Sequence, residues 1–96
     1  MANSHDRAAK SIARKFGCRY TRTTSPDIKC KRIHVEVKSS ANEIPKALHQ
    51  LSGSRGSTFI ALPNIEQKKA LGKLKGLKTG LMNYRGNIIK SSTRKR

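Results

Sequence analysis

Apolar side chains recur with helical spacing in the first part of the chain. Between Ser4 and Phe16 they fall every three or four positions, and basic side chains occupy the opposite side. This spacing predicts an amphipathic α-helix. Ser4 suits its N-cap, because serine accepts a hydrogen bond from the first turn, and Gly17 suits its end, because glycine adopts the left-handed conformation.

The next segments alternate between apolar and polar positions, which predicts β-strands. Residues 18–24 predict a first strand, and Pro26 ends it because proline cannot donate a hydrogen bond to a neighbouring strand. Residues 28–30 and 33–38 predict the two arms of a hairpin around residues 31–32.

The hairpin turn determines which residues of its two arms face each other. A turn of two or four residues pairs positions whose numbers sum to 63, whereas a turn of three residues breaks that register. The first register places Asp27 directly opposite Glu36. In the second arm, His34, Glu36 and Lys38 share one face, and the apolar residues share the other.

Helices and strands alternate in the second half of the chain. Ser40 and Glu43 have the spacing of a capping box. The predicted elements are a helix over residues 40–51, a buried strand over 57–62, a basic helix over 65–77, and strands over 79–84 and 87–90. The whole order predicts an α/β fold with a mixed sheet flanked by helices. Residues 1–90 are expected to form one domain, and residues 91–96 a disordered basic tail.

The composition is that of a small and strongly basic domain. The chain has 96 residues, of which 34% are hydrophobic, and its 22 Lys and Arg against 5 Asp and Glu give a formal net charge of +17. Such a charge favours an anionic partner, and nucleic acid is the first candidate. The small core also favours a homodimer, for which we expect a sheet edge formed by Leu81, Met82, Ile88 and Ile89.

The sequence also disfavours several classes of protein. The longest apolar run, residues 59–62, is too short to span a membrane, and the N-terminus lacks an apolar signal sequence. We therefore expect a cytoplasmic protein without a membrane partner, with nucleoid association or a viral origin left open. Cys18 and Cys30 are too few for a disulfide framework and lack zinc-site spacing, so we interpret them as small buried apolar residues.

Acidic residues are rare in this chain, so their positions are informative. In the predicted hairpin, Asp27 and Glu36 project to one face with Cβ atoms about 5 Å apart, and Lys38 lies on that face too. Two such carboxylates can ligate one Mg²⁺ ion, and an ammonium can orient water or stabilise charge at a phosphate. The alternative interpretation makes Asp27 a turn residue and the other two solvent-exposed charges.

The residues of the hairpin favour the first interpretation. Pro26-Asp27, eight intervening residues and then Glu36-Val37-Lys38 resemble the PD-(D/E)xK signature of restriction-endonuclease-like nucleases. Among these, the chain is most similar to archaeal Holliday junction resolvases, in which an acidic residue of the first helix stands eleven positions before a helix-ending glycine. Asp6 has that spacing here. Its alternative role is a favourable interaction with the helix dipole.

The resemblance implies a fold, an activity and roles for these residues. The fold is a restriction-endonuclease-like mixed β-sheet flanked by helices, with an α-β-β-β-α-β core. The activity is hydrolysis of DNA phosphodiester bonds by a homodimer, with Mg²⁺ as cofactor and Mn²⁺ as a substitute, and a preference for branched structures. Asp6, Asp27 and Glu36 are expected to ligate the metal, and Lys38 to act at the attacked phosphate.

The resemblance also suggests accessory residues. Resolvases of this family often carry a Gly/Ser-rich loop before the Pro-Asp pair, whereas this chain passes directly from Thr24 to Ser25. Ser25, or Thr24, is a candidate for the hydroxyl that the family places near its metal. Gln50 is a candidate for positioning water or phosphate, and His34 for approaching substrate. Their alternative interpretations are an ordinary turn residue, an exposed helix residue and a surface strand residue.

Basic residues are concentrated in the C-terminal third with few acidic residues to balance them. This imbalance favours contact with phosphates over a merely solvated face. The candidate nucleic-acid contacts are Arg22, Lys68, Lys69, Lys73, Lys75, Lys78 and Arg85. A non-catalytic DNA-binding protein and a basic RNA-associated protein of ribosomal type are alternatives, although neither explains the clustered carboxylates.

Overall fold

Three α-helices and six β-strands form in the part of the chain that the computed structural model describes, namely residues 4–20, 28–29, 33–53 and 56–92. The helices are α1 (Ser4–Phe16), α2 (Ile44–Leu51) and α3 (Gln67–Leu74). The strands are β1 (Arg19–Tyr20), β2 (Ile28–Lys29), β3 (Ile33–Val37), β4 (Ser57–Ala61), β5 (Gly80–Met82) and β6 (Ile88–Lys90). Short 3₁₀ turns over Ala41–Glu43 and Asn64–Glu66 precede α2 and α3.

The described strands belong to one sheet, in which they lie side by side in chain order. β3, β4 and β5 run parallel, while β1, β2 and β6 pair antiparallel with their neighbours. The predicted α/β class and mixed sheet are therefore confirmed.

Helices cover both faces of this sheet. On one face, α1 packs Ile12 into a cluster with Val35 and Phe59. On the other face, α2 and α3 pack against Ile60 and Leu81. The central strands are therefore buried on both sides, and a polar side chain on them must find a partner inside the protein.

The end of α1 is fixed by its own backbone. Gly17 has φ +66°, and its N–H donates to the carbonyl of Arg14 at 3.3 Å, while the N–H of Cys18 donates to the carbonyl of Ala13 at 2.7 Å. This pair of bonds is a Schellman motif, which confirms the predicted role of Gly17. Ser4 was expected to precede the helix and is instead its first residue.

The basic helix α3 is shorter than its sequence pattern predicts. The pattern extends to residue 77, but the α-helix ends at Leu74 because Lys75 adopts an extended ψ of 129° and Gly76 has φ +81°.

Among the described helices, none has both the length and the apolar character of a membrane span.

Two further expectations about apolar residues are wrong. Leu81 and Met82 are fully buried, because β6 covers the outer side of β5 and helices cover the faces of the sheet. Only Ile88 and Ile89 of the expected apolar edge are exposed. Cys18 is disulfide-bonded rather than a free apolar residue, and Cys30 lies outside the described residues.

Candidate functional site at the carboxyl end of β3

Glu36 and Lys38 form a buried ion pair where β3 ends. The Nζ atom of Lys38 lies 3.3 Å from Oε2 of Glu36, and their side chains are 11% and 3% exposed. The N–H of Lys38 also donates to the carbonyl of Ala61 at 3.0 Å, which continues the parallel pairing of β3 with β4. The alternative interpretation, in which both are solvent-exposed charges, is therefore wrong for these two residues.

The burial of this pair has a physical cost. A carboxylate and an ammonium lose most of their hydration when they leave water, and a buried pair rarely stabilises a fold more than apolar residues of the same size. A small, highly basic chain that keeps such a pair at a strand end therefore gains little stability from it. Groups of this kind are common at sites of chemistry.

Tyr84 holds the backbone of this site in place. Its phenol O–H donates to the carbonyl of Lys38 at 2.6 Å. Burial, and to a smaller degree the charge of Glu43, raise the pKa of Tyr84 above its ordinary value. The phenol therefore stays protonated near neutral pH, so it remains a donor. Local sequence pattern does not predict this contact, because 46 positions separate the two residues.

The carboxylate of Glu43 has a different contact from the one that its sequence predicts. Ser40 is the N-cap of the 3₁₀ turn, and its hydroxyl accepts from the N–H of Asn42. Glu43 accepts from the hydroxyl of Ser39 at 3.2 Å. The chain thus uses only the Ser40 half of the expected capping box, and Glu43 lies beside the candidate site.

Two side chains tie together the segments that follow β3, β4 and β5. Glu66 accepts from the N–H of Ala41 at 2.7 Å, and the Nε2 atom of Gln67 donates to the carbonyls of Leu62 and Met82 at 2.6 and 3.3 Å. In open α/β sheets, ligands bind in the crevice at the carboxyl ends of the parallel strands. The ion pair lies at this edge of the sheet.

The remaining predicted site residues fall into two groups. Asp6 in α1, His34 in β3 and Gln50 in α2 are half-buried, and His34 lies on the same face of the sheet as Glu36. Arg22, Ser25 and Asp27 lie outside the described residues. Within the described ranges, no three His, Cys, Asp or Glu side chains are grouped closely enough to hold a metal ion.

The register of the hairpin agrees with the sequence prediction. Ile28 pairs with Val35 and Lys29 with His34, so the numbers of both pairs sum to 63. The alternative register, in which the numbers of paired residues do not sum to 63, is therefore wrong. The expected pairing of Asp27 with Glu36 concerns the next position along the same ladder and lies outside the described residues.

Six basic residues of the C-terminal third are exposed. None of their side chains makes a hydrogen bond or ion pair with another residue in the described part of the chain. These exposed residues are Lys68, Lys69, Lys73, Lys75, Lys78 and Arg85. Lys90 differs, because its ammonium donates to the carbonyls of Leu77 and Thr79.

Comparisons with other proteins do not place this chain in a family. No protein-family model, curated protein or solved structure matches it. The resemblance to PD-(D/E)xK nucleases therefore rests on the sequence motif.

Proposed function

We propose that the protein is a Mg²⁺-dependent DNA endonuclease of the PD-(D/E)xK type, with a preference for branched DNA. The observation that carries this proposal is the buried pair of Glu36 and Lys38, whose charged atoms lie 3.3 Å apart at the carboxyl end of β3. These are the last two specified positions of the motif. Glu36 is buried and the side chain of Lys38 is only 11% exposed, so little water weakens the charge of either group.

The fold around the motif supports the same activity. A helix and three strands precede α2 and β4, which is the element order that the resemblance implies. In the pairing of β2 with β3, the numbers of paired residues sum to 63, which supports Asp27 as the second carboxylate of the site. Asp6 in the first turns of α1 is the third candidate ligand on the motif alone, since α1 packs on the face of the sheet opposite Glu36.

Each residue has a role in the proposed reaction. Glu36, Asp27 and Asp6 would hold Mg²⁺, which when bound lowers the pKa of a water and offsets charge on the scissile phosphate. Glu36 also holds the ammonium of Lys38 at the site through the ion pair. The ammonium of Lys38 donates to the phosphate as negative charge develops on its oxygens, and it acts strongly because little water surrounds it. Tyr84 fixes the Lys38 backbone during this step.

A non-catalytic nucleic-acid-binding protein is the second candidate. The exposed basic residues of α3 and the segment after it favour this function, because uncompensated lysines bind phosphates without regard to sequence. Such a protein has no use for a buried carboxylate and ammonium beside a strand end. Cleavage assays separate the two functions.

The test compares cleavage of a four-way junction, duplex DNA and single-stranded DNA by the purified chain. We expect cleavage with Mg²⁺ or Mn²⁺ and none with excess chelator. Lys38→Met should lower the cleavage rate by about 10² to 10³-fold, because a donor to the developing charge is lost. Lys46→Met is the matched control, since Lys46 is an exposed lysine of α2.

Glu36→Gln separates cleavage from binding. It removes a metal ligand and one negative charge, so cleavage should fall by orders of magnitude while DNA affinity holds or rises. Circular dichroism checks that the variant is folded. Cleavage that resists chelator, or normal cleavage by folded Glu36→Gln, would contradict the assignment. Tight binding with no cleavage of any substrate would favour the second function.

A further inference from the structure

A cleft lies between α1 and the turn that joins β5 to β6. Its volume is about 360 Å³, and it is lined by Arg7, Ala8, Ser11 and Tyr84. Tyr84 is also the residue whose phenol binds the carbonyl of Lys38. One wall of the cleft therefore connects directly to the candidate site, although Arg7 and Ser11 belong to no part of the motif.

The walls of the cleft are fixed against each other. The amine of Lys15 donates to the side-chain carbonyl of Asn87 at 2.8 Å, which ties α1 to the turn. Gly86 packs so closely on α1 that a Cβ atom there would lie 2.9 Å from Cδ of Lys15. The backbone of α1 that carries Arg7 and the turn that carries Tyr84 are thus in contact with each other.

The charge of the cleft favours an anion. Arg7 is exposed, and its guanidinium makes no ion pair or hydrogen bond with any described residue. Asp6 precedes it, but adjacent residues of a helix point in different directions. Ser11 adds a hydroxyl one turn along from Arg7. Glu43 is a negative charge that would disfavour an anion here, since it helps to raise the pKa of the Tyr84 phenol, which lies on the side of Lys38.

We infer that this cleft, which lies on the α1 face of the sheet while Glu36 points to the α2 face, is a subsite for a backbone phosphate of the substrate strand where that strand passes the carboxyl ends of the β-strands. Arg7 donates to the phosphate oxygens, the hydroxyl of Ser11 donates to the same group, and Tyr84 sets the distance from the cleft to Lys38. The inference rests on the proposed function, because that function identifies the bound strand as substrate DNA. Binding in the cleft itself requires only a phosphodiester.

The test uses the dinucleotide pTpT as a probe and follows backbone amide signals of the full chain by NMR, without metal. We expect shifts concentrated at Arg7, Ala8, Ser11 and Tyr84. Arg7→Ala should weaken binding about tenfold, because a charge-assisted hydrogen bond is lost. Arg14→Ala is the matched control: Arg14 is exposed, on nearly the same side of α1 and about 10 Å further along it.

The outcomes separate this inference from the proposed function. Shifts at the cleft that Arg7→Ala abolishes and Arg14→Ala retains support the subsite even if no DNA is cleaved. Shifts elsewhere, or equal weakening by both substitutions, would overturn the subsite even if the protein proves to be a nuclease. In an active nuclease, Arg7→Ala should raise KM more than it lowers kcat, and Arg14→Ala should leave both within about twofold.

Discussion

Tyr84 is the residue that connects the candidate site to the rest of the molecule, so its hydroxyl is the most informative single group to remove. Tyr84→Phe leaves the ring in place but deprives the carbonyl of Lys38 of its donor at 2.6 Å. We expect a loss of about 1 kcal/mol in the free energy of unfolding, measured by urea denaturation. In the cleavage assay, kcat should fall while the affinity for DNA stays the same, because the backbone of Lys38 is less well fixed.

The pH dependence of this loss follows from the pKa of Tyr84. Burial raises that pKa above 10.0, so the unfolded chain releases the phenolic proton at a lower pH than the folded chain. The stabilisation is present below pH 10 and is lost as pH rises through the raised value. The stability difference between the wild type and Tyr84→Phe should therefore shrink above pH 10. Tyr20→Phe, at the other tyrosine of the chain, is the control, and equal effects of both substitutions would contradict the role of Tyr84.

Among the elements, the short turn between β5 and β6 contacts α1 directly. It packs on α1 through Gly86, which has φ +82° and at which a Cβ atom would displace the side chain of Lys15. Gly76, after α3, has nearly the same φ of +81°, but a Cβ atom there would meet nothing within 4 Å. The two glycines thus separate backbone strain from loss of packing.

Gly76→Ala should cost about 1 kcal/mol of the free energy of unfolding, because only the left-handed conformation is disfavoured. Gly86→Ala should cost about 2 kcal/mol, because the side chain of Lys15 must also shift and its hydrogen bond to Asn87 is weakened. Thermal or urea denaturation of the two variants measures the difference. Equal losses would show that the turn does not depend on its contact with α1.

At the scale of the whole molecule, β6 is an outer strand of the sheet and exposes Ile88 and Ile89 at 50% and 44%. An outer strand offers unpaired backbone groups, and two exposed isoleucines add an apolar surface beside them. We expect a two-fold dimer to form here, which would let two sites act on both strands of a symmetric substrate.

Ile89→Lys should shift the protein from dimer to monomer without unfolding it, as measured by sedimentation at micromolar concentration and by circular dichroism. Leu71→Lys is the matched control, since Leu71 is a 40% exposed leucine on a helix, α3, and not on the outer strand. Met82→Lys is unsuitable as a test because Met82 is fully buried. A wild-type monomer, or a dimer that Ile89→Lys leaves intact, would contradict this arrangement.

Much of this fold could be predicted from the sequence because it depends on near neighbours. The spacing of apolar residues determined α1 from Ser4 to Phe16, and Gly17 determined its end. The alternation along β2 and β3 determined the hairpin and its register, since a shift by one residue would turn the apolar face of β3 outward. The presence of Glu36 and Lys38 on one face of β3 follows from the same alternation.

The tertiary structure decided what surrounds those residues. Local alternation cannot distinguish a half-exposed strand from a central one, and the parallel pairing of β3 with β4 is what buries Glu36. The bond from Tyr84 to Lys38 and the burial of Met82 likewise depend on segments that are distant in sequence. The local pattern of apolar and polar side chains does not predict such contacts, because they form only when the order of strands brings remote parts of the chain together.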